Sequence, residues 1–112
     1  MKGIDIIFSF QHAVNLIGLK DNNGDKLVEN GIEDIHTNEV IAKIFVAKGD
    51  HNELVRWIQQ RLIALGFSCG KTGDDSYFGI NTLAAVAHFQ FLEALNADGF
   101  IGALTITKLL NQ

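Results

Sequence analysis

Asn30-Gly31-Ile32-Glu33-Asp34-Ile35-His36-Thr37, Asp75-Ser76-Tyr77-Phe78-Gly79-Ile80-Asn81-Thr82 and Asp98-Gly99-Phe100-Ile101-Gly102-Ala103-Leu104-Thr105 are three copies of one pattern, each leading into an apolar helical stretch. The skeleton is Asp or Asn, then Gly or Ser, then an aromatic or Ile, with Thr closing it seven residues after the first. Such a pattern is a turn feeding a helix. Asp and Asn bond to their own backbone, Gly supplies positive φ, the apolar residue anchors the loop, and Thr is expected to accept first-turn amides.

A second repeat lies under the first. Phe10-Gln11-His12-Ala13-Val14-Asn15-Leu16-Ile17-Gly18-Leu19 aligns with Ile58-Gln59-Gln60-Arg61-Leu62-Ile63-Ala64-Leu65-Gly66-Phe67, with the apolar positions, one Gln and the terminal Gly in register. A repeat fixes the architecture on which any site must sit. The chain reads as two related lobes, residues 1–49 and 50–112, the second carrying an extra motif and helix. Lobes this small bury only ~60% of their unfolded surface. With 47% hydrophobic residues, they are expected to share one core. The join, Lys48-Gly49-Asp50-His51-Asn52, is short and polar, and is read as a tight elbow.

Helical periodicity dominates. Ile6, Ile7, Phe10, Val14 and Ile17 share one face of a first helix ended by Gly18. Val40, Ile41, Ile44 and Phe45 form a second face, closed at Lys48-Gly49. Asp50 and Glu53 have capping-box spacing ahead of Leu54, Val55, Ile58, Leu62 and Leu65. Leu83, Val86 and Phe89 mark a fourth helix, and Ile106, Leu109 and Leu110 a fifth. The expected class is all-α, with five helices and no strand.

The net charge of −4 divides into five basic against eight acidic residues over 1–50 and four against five over the rest, with no basic cluster. Phosphate binding needs concentrated Lys and Arg, so neither nucleic acid nor an anionic membrane is an expected partner. The apolar run at the start is short and broken by Asp5, so no signal peptide is read, and no stretch is long enough to span a bilayer.

These residues resemble the peptidoglycan-binding domain of bacterial and phage cell-wall hydrolases, a three-helix module with repeated loops. The match runs through Leu54, Ile58, Gln59, Leu62, Leu65 and Gly66, then Tyr77, Phe78, Gly79 and Thr82, then Ala85, Val86, Phe89 and Gln90, then Asp98, Gly99, Gly102, Thr105, Leu109 and Leu110. Residues 5–49 are similar to a shortened copy lacking the third helix. Departures are Ile35, Ile80 and Ala103 where the family commonly has Pro, Ser76 for Gly in the second loop, and Asp34 for Gly in the first. The resemblance implies tandem lobes packed together, and attachment to peptidoglycan rather than its cleavage. Cutting is left to a hydrolase domain in cis or in a complex, as in a phage endolysin or autolysin. It places the protein at the bacterial cell wall, outside the cytoplasm, by phage-type release or as part of a longer chain.

A glycan strand bearing peptides is recognised by a groove with a few polar groups and exposed aromatics. The loops supply Tyr77, Asn81 and Phe100, with Asn30, Glu33 and His36 in matching places. Phe78 and Phe100 have a competing reading as apolar plugs buried under their loops, and Asp75 and Asp98 as turn formers. Trp57 is read either as a surface that stacks on sugar or as the filler between lobes.

Enzymatic signals are weak. His12, His36, His51 and His88 lack the spacing of a helical zinc site such as HExxH, so no metal or cofactor is expected. Cys69 is the only cysteine and is read as a thiol in a turn. Asp74-Asp75 is read as a solvated turn rather than a hydrolytic pair. Asp21-Asn22-Asn23-Gly24-Asp25-Lys26 fails as a calcium loop, with Lys26 where Gly is needed and Ile32 where Glu should chelate. The alternative function is a helical protein-protein interaction or regulatory module that has lost glycan binding.

Overall fold

The computed structural model describes residues 2–112, with side chains from Asp5 onward. Five helices follow in order: α1 (Lys2–Leu16), α2 (Ile35–Ile41), α3 (Glu53–Ala64), α4 (Ile80–Leu92) and α5 (Ala103–Leu110). The described residues contain no strand, only two isolated antiparallel bridges, Val46 with Ile101 and His51 with Tyr77.

α3 is the centre of the packing. Its Leu54, Val55, Ile58 and Leu62 are all but inaccessible, and it lies against α1, α4 and α5. Phe10 and Val14 of α1, Val86 and Phe89 of α4, and Ile106 and Leu109 of α5 complete one continuous core with them. Arg61 reaches from α3 to donate through Nε to the Leu109 carbonyl (3.1 Å), capping the open end of α5. Burial lowers the pKa of that guanidinium.

The three loops are held by three buried glutamines. Gln59 Nε2 donates to the Tyr77 carbonyl (2.9 Å), Thr82 Oγ1 (3.0 Å) and Asp75 Oδ1 (3.1 Å), while its Oε1 accepts the Ser76 N–H (3.0 Å). Gln90 does the same for the third loop, through the Phe100 carbonyl, Thr105 Oγ1 and the Gly99 N–H. Gln11 repeats it in the first, through the Ile32 carbonyl, Thr37 Oγ1, Asn30 Oδ1 and the N–H groups of Asn30 and Gly31. All three amides are at most 1% exposed. A primary amide carries both donors and an acceptor, so one side chain satisfies several loop groups cut off from water.

Within each loop Asn30, Asp75 or Asp98 accepts the N–H two residues on, an Asx turn, as expected of these residues. The next position takes positive φ in all three copies: Gly31 at 73°, Ser76 at 69° and Gly99 at 77°. In each copy the N–H of this residue donates to the glutamine oxygen. At Gly99 a Cβ would also stand 2.6 Å from Leu83 Cδ1.

Several local expectations need correction. The closing Thr residues are not caps: the N-caps are Asp34, Gly79 and Gly102, and each Thr sits one turn inside, its hydroxyl accepting from the glutamine. Only Asp34 caps with a side chain, accepting from Thr37 N–H at 3.0 Å. For α3 the cap is Asn52, which accepts from Val55 N–H. Asp50 instead accepts from Ala47 N–H and shapes the preceding turn. α2 stops at Ile41 rather than running on to Gly49, because Val46 is drawn into two backbone bonds with Ile101 (2.8 and 2.9 Å). Ile44 is buried as its face required, but Phe45 turns outward.

The join between the halves is more than an elbow. After Val46 it bonds again to the second loop, through Gly49 N–H to the Phe78 carbonyl, Phe78 N–H to the Asp50 carbonyl and Asn52 N–H to the Ser76 carbonyl. One short segment thus ties down both loops of the second half.

Replacing Gln59 with Leu strands the Ser76 N–H, the Tyr77 carbonyl and the Thr82 hydroxyl. With roughly 1–3 kcal/mol per stranded buried group, urea denaturation should show a loss of at least about 3 kcal/mol. Ser76→Gly removes left-handed strain and should stabilise the chain by about 0.5–1 kcal/mol. In the same titration Gly99→Ala, which adds strain and the collision with Leu83, should be clearly destabilising.

Candidate functional site

The loop geometry presents side chains by position. The residue after the positive-φ position points outward in every copy: Ile32, Tyr77 and Phe100 are 60, 49 and 50% exposed. The next residue is the plug in the second and third copies, where Phe78 and Ile101 are fully buried. Phe78 therefore fills the core as read. Phe100 does not, because Ile101 already occupies the apolar hole under that loop.

Tyr77 and Asn81 come together. Both line a cleft between the Cys69–Gly73 loop and the start of α4, with Thr72, Asp75, Gly79 and Ile80 beside them. Asn81 is exposed at the second position of α4 and lies over Gly70, where any Cβ would collide with its amide. His51 stands edge-on to the Tyr77 ring, centroids 6.1 Å apart. Asp75 keeps its carboxylate below the ordinary range, first through the Tyr77 N–H and then through Thr72 and Gln59. Cys69 is buried, which pushes its thiol up, the opposite of an activated nucleophile.

Phe100 belongs to the equivalent cleft at the third loop. It stacks on Phe45 (centroids 5.6 Å, 28° between planes), and with Leu95, Leu104, Asn96 and Asp98 the pair lines a cleft of about 340 Å³ at the start of α5. Phe45 and Leu104 are 67 and 73% exposed. Sequence reasoning missed Phe45 by placing it on the inner face of a helix that ends four residues earlier.

The remaining candidates stand apart from both clefts. Trp57 is 3% exposed between α1 and α3, its ring edge against Phe10 (5.1 Å) and its Nε1 donating to Ser9 Oγ at 2.9 Å. It is the filler between the two halves, and only its margin borders a groove with Phe8, His12 and Arg56. Asn30 spends its side-chain oxygen on the first loop, accepting from Gln11 and from Ile32 N–H. His36 stands beside Asp21 and Glu39, at 3.3 and 3.6 Å from their carboxylate oxygens. Asp74 is held by Gln60 and Arg56 at the surface.

Residues 51–109 match the profile of a family described as "Putative peptidoglycan binding domain". A "Probable N-acetylmuramoyl-L-alanine amidase" of Bacillus licheniformis is 39% identical over 62 residues, 55% of this chain and 18% of the amidase. The amidase CwlL of the same species is 44% identical over 59 residues, 49% of this chain and 16% of that protein. The chain thus spans less than a fifth of these relatives. Among solved structures, the SleB N-terminal domain superposes with a TM-score of 0.57 at 35% identity, over 61% of this chain and 90% of that one. A peptidoglycan-binding protein from Clostridioides difficile, in complex with glutamine hydroxamate, gives 0.55 at 38%, over 61% of this chain and 41% of that one.

Asp34 and Asp75 both have depressed pKa values in the fold, each chiefly through a backbone N–H. A depressed carboxylate stabilises the fold above its unfolded value and loses that contribution as pH falls through the folded one. The melting temperature should therefore decline as pH drops below the unfolded value of 3.8. Asp75→Asn, which keeps the turn acceptor without the charge, should make that acid limb shallower in a pH series of thermal melts.

Proposed function

The chain belongs to the peptidoglycan-binding domain family, and from that premise we propose that it is a non-catalytic module that holds a lytic enzyme of the endolysin or autolysin type on the bacterial wall. It consists of a shortened repeat over residues 1–49 and a complete three-helix repeat over 50–112. The repeated glutamine, Asx-turn and threonine network supports that division, since Gln11, Asn30 and Thr37 make the bonds that Gln59, Asp75 and Thr82 make.

The observation that carries the reading is the pair of loop-helix clefts, each with an exposed ring beside polar groups. Tyr77 with Asn81, and Phe100 with Phe45, Asn96 and Asp98, offer aromatic faces for sugar rings and acetamido methyls. The amide and carboxylate beside them suit hydroxyls and peptide N–H groups. Exposure of Tyr77 and Asn81 favours wall binding over the protein-protein module, for which both would be buried beneath a purely apolar patch.

The purified chain should co-sediment saturably with insoluble peptidoglycan from Gram-positive species without lowering its turbidity. Tyr77→Ala, Asn81→Ala and Phe100→Ala should each weaken retention by about five- to tenfold, or about 1–1.4 kcal/mol. Absence of binding to every wall tested overturns the proposal, and clearing of the suspension overturns its non-catalytic part.

A further inference from the structure

The first half carries a donor cluster that wall binding leaves unused. Asp21, from the loop after α1, and His36 and Glu39, three residues apart on α2, bring one ligating atom each to within 4.8 Å of one another. His36 Nδ1 is sealed from solvent and makes no hydrogen bond, although Asp21 Oδ2 lies at 3.3 Å and Glu39 Oε1 at 3.6 Å. The His36 ring is 45% exposed along its other edge, so this shielded nitrogen faces two carboxylates that a shared proton or a metal ion would join.

Both carboxylates are also held in place from behind. Asp21 is 6% exposed, and its Oδ1 accepts the N–H groups of Asn23 and Asp25 at 2.9 Å each, leaving Oδ2 turned to the histidine. Glu39 Oε1 accepts the Asn22 N–H at 3.0 Å. The same short loop orients both acids, the kind of outer support that metal ligands receive.

We propose that Asp21, His36 and Glu39 form a Zn²⁺ site, with a fourth position open to water or an incoming carboxylate. Bonds of about 2.0–2.2 Å at tetrahedral angles set donors roughly 3.4 Å apart, close to the 3.3 and 3.6 Å from the imidazole to each carboxylate, while the two carboxylates lie within 4.8 Å of each other. One imidazole with two carboxylates suits zinc. Calcium takes six to eight oxygens, and magnesium needs near-ideal octahedral oxygen geometry. The bound ion cross-links the polar loop after α1 to the short α2, in the half of the molecule that has only two helices. In this site Asp21 would work with residues 15 and 18 positions away rather than through the local loop pattern that fails as a calcium loop.

Metal-stripped protein titrated with ZnCl₂ in a calorimeter should take up one equivalent. Thermal melts at a hundredfold excess over Kd should rise by roughly 5 °C or more, with CaCl₂ giving no comparable shift. His36→Gln and Glu39→Gln should each weaken zinc uptake at least tenfold while keeping the metal-free circular dichroism spectrum. His12→Gln should not, since His12 in the same half meets Glu29 alone among acids. No saturable uptake by the unaltered chain, or uptake unchanged in His36→Gln, overturns the site. Retention on peptidoglycan is a separate readout, so failure of either proposal is distinguishable from failure of the other.

Discussion

Everything presented at the surface depends on three amide side chains that are not at the surface. Gln11, Gln59 and Gln90 are buried among apolar neighbours, and each joins a helix to the turn that precedes a later helix. A carboxylate in the same place would lack donors for the loop carbonyl and the threonine hydroxyl, and an aliphatic side chain would strand all of them. Because the amide fixes the backbone on both sides of the positive-φ residue, it decides that the next side chain points out and the one after it points in. The exposed rings and the core plugs are two results of one bonding pattern.

That pattern was half visible in the sequence. The Asx residue, the small residue and the threonine recur at fixed spacing, and the glutamines of the first two copies stand in register. The bond from the glutamine oxygen to the positive-φ N–H spans 20, 17 and 9 residues in the three copies, so no fixed motif announces it. Five helices and the all-α class followed from periodicity, and the residues of their inner faces, Phe45 excepted, form the core or pack against it.

What stayed illegible was set by contacts distant in sequence. Nothing near Ile41 signals a helix end; the pull comes from Ile101, 60 positions on. Hence Phe45 looked like a core residue and is an exposed partner of Phe100. Phe100 looked like a plug because it is large and apolar, yet Ile101 takes that place by its position in the turn. His36 and Glu39 lie three apart on α2, but Asp21 joins them from a separate loop, so no single stretch of sequence displayed the three together.

The burial of Trp57 has an optical consequence. It is the only tryptophan in the chain, it lies between α1 and α3, and its indole N–H is bonded to Ser9 across the boundary between the halves. Its fluorescence therefore reports on the docking of one half against the other, and Trp57 lines neither loop cleft. Separation of the halves would release the indole into water and shift its emission to longer wavelength, while occupation of either cleft would leave it almost untouched. The molecule has a built-in gauge of its own integrity, independent of what it holds.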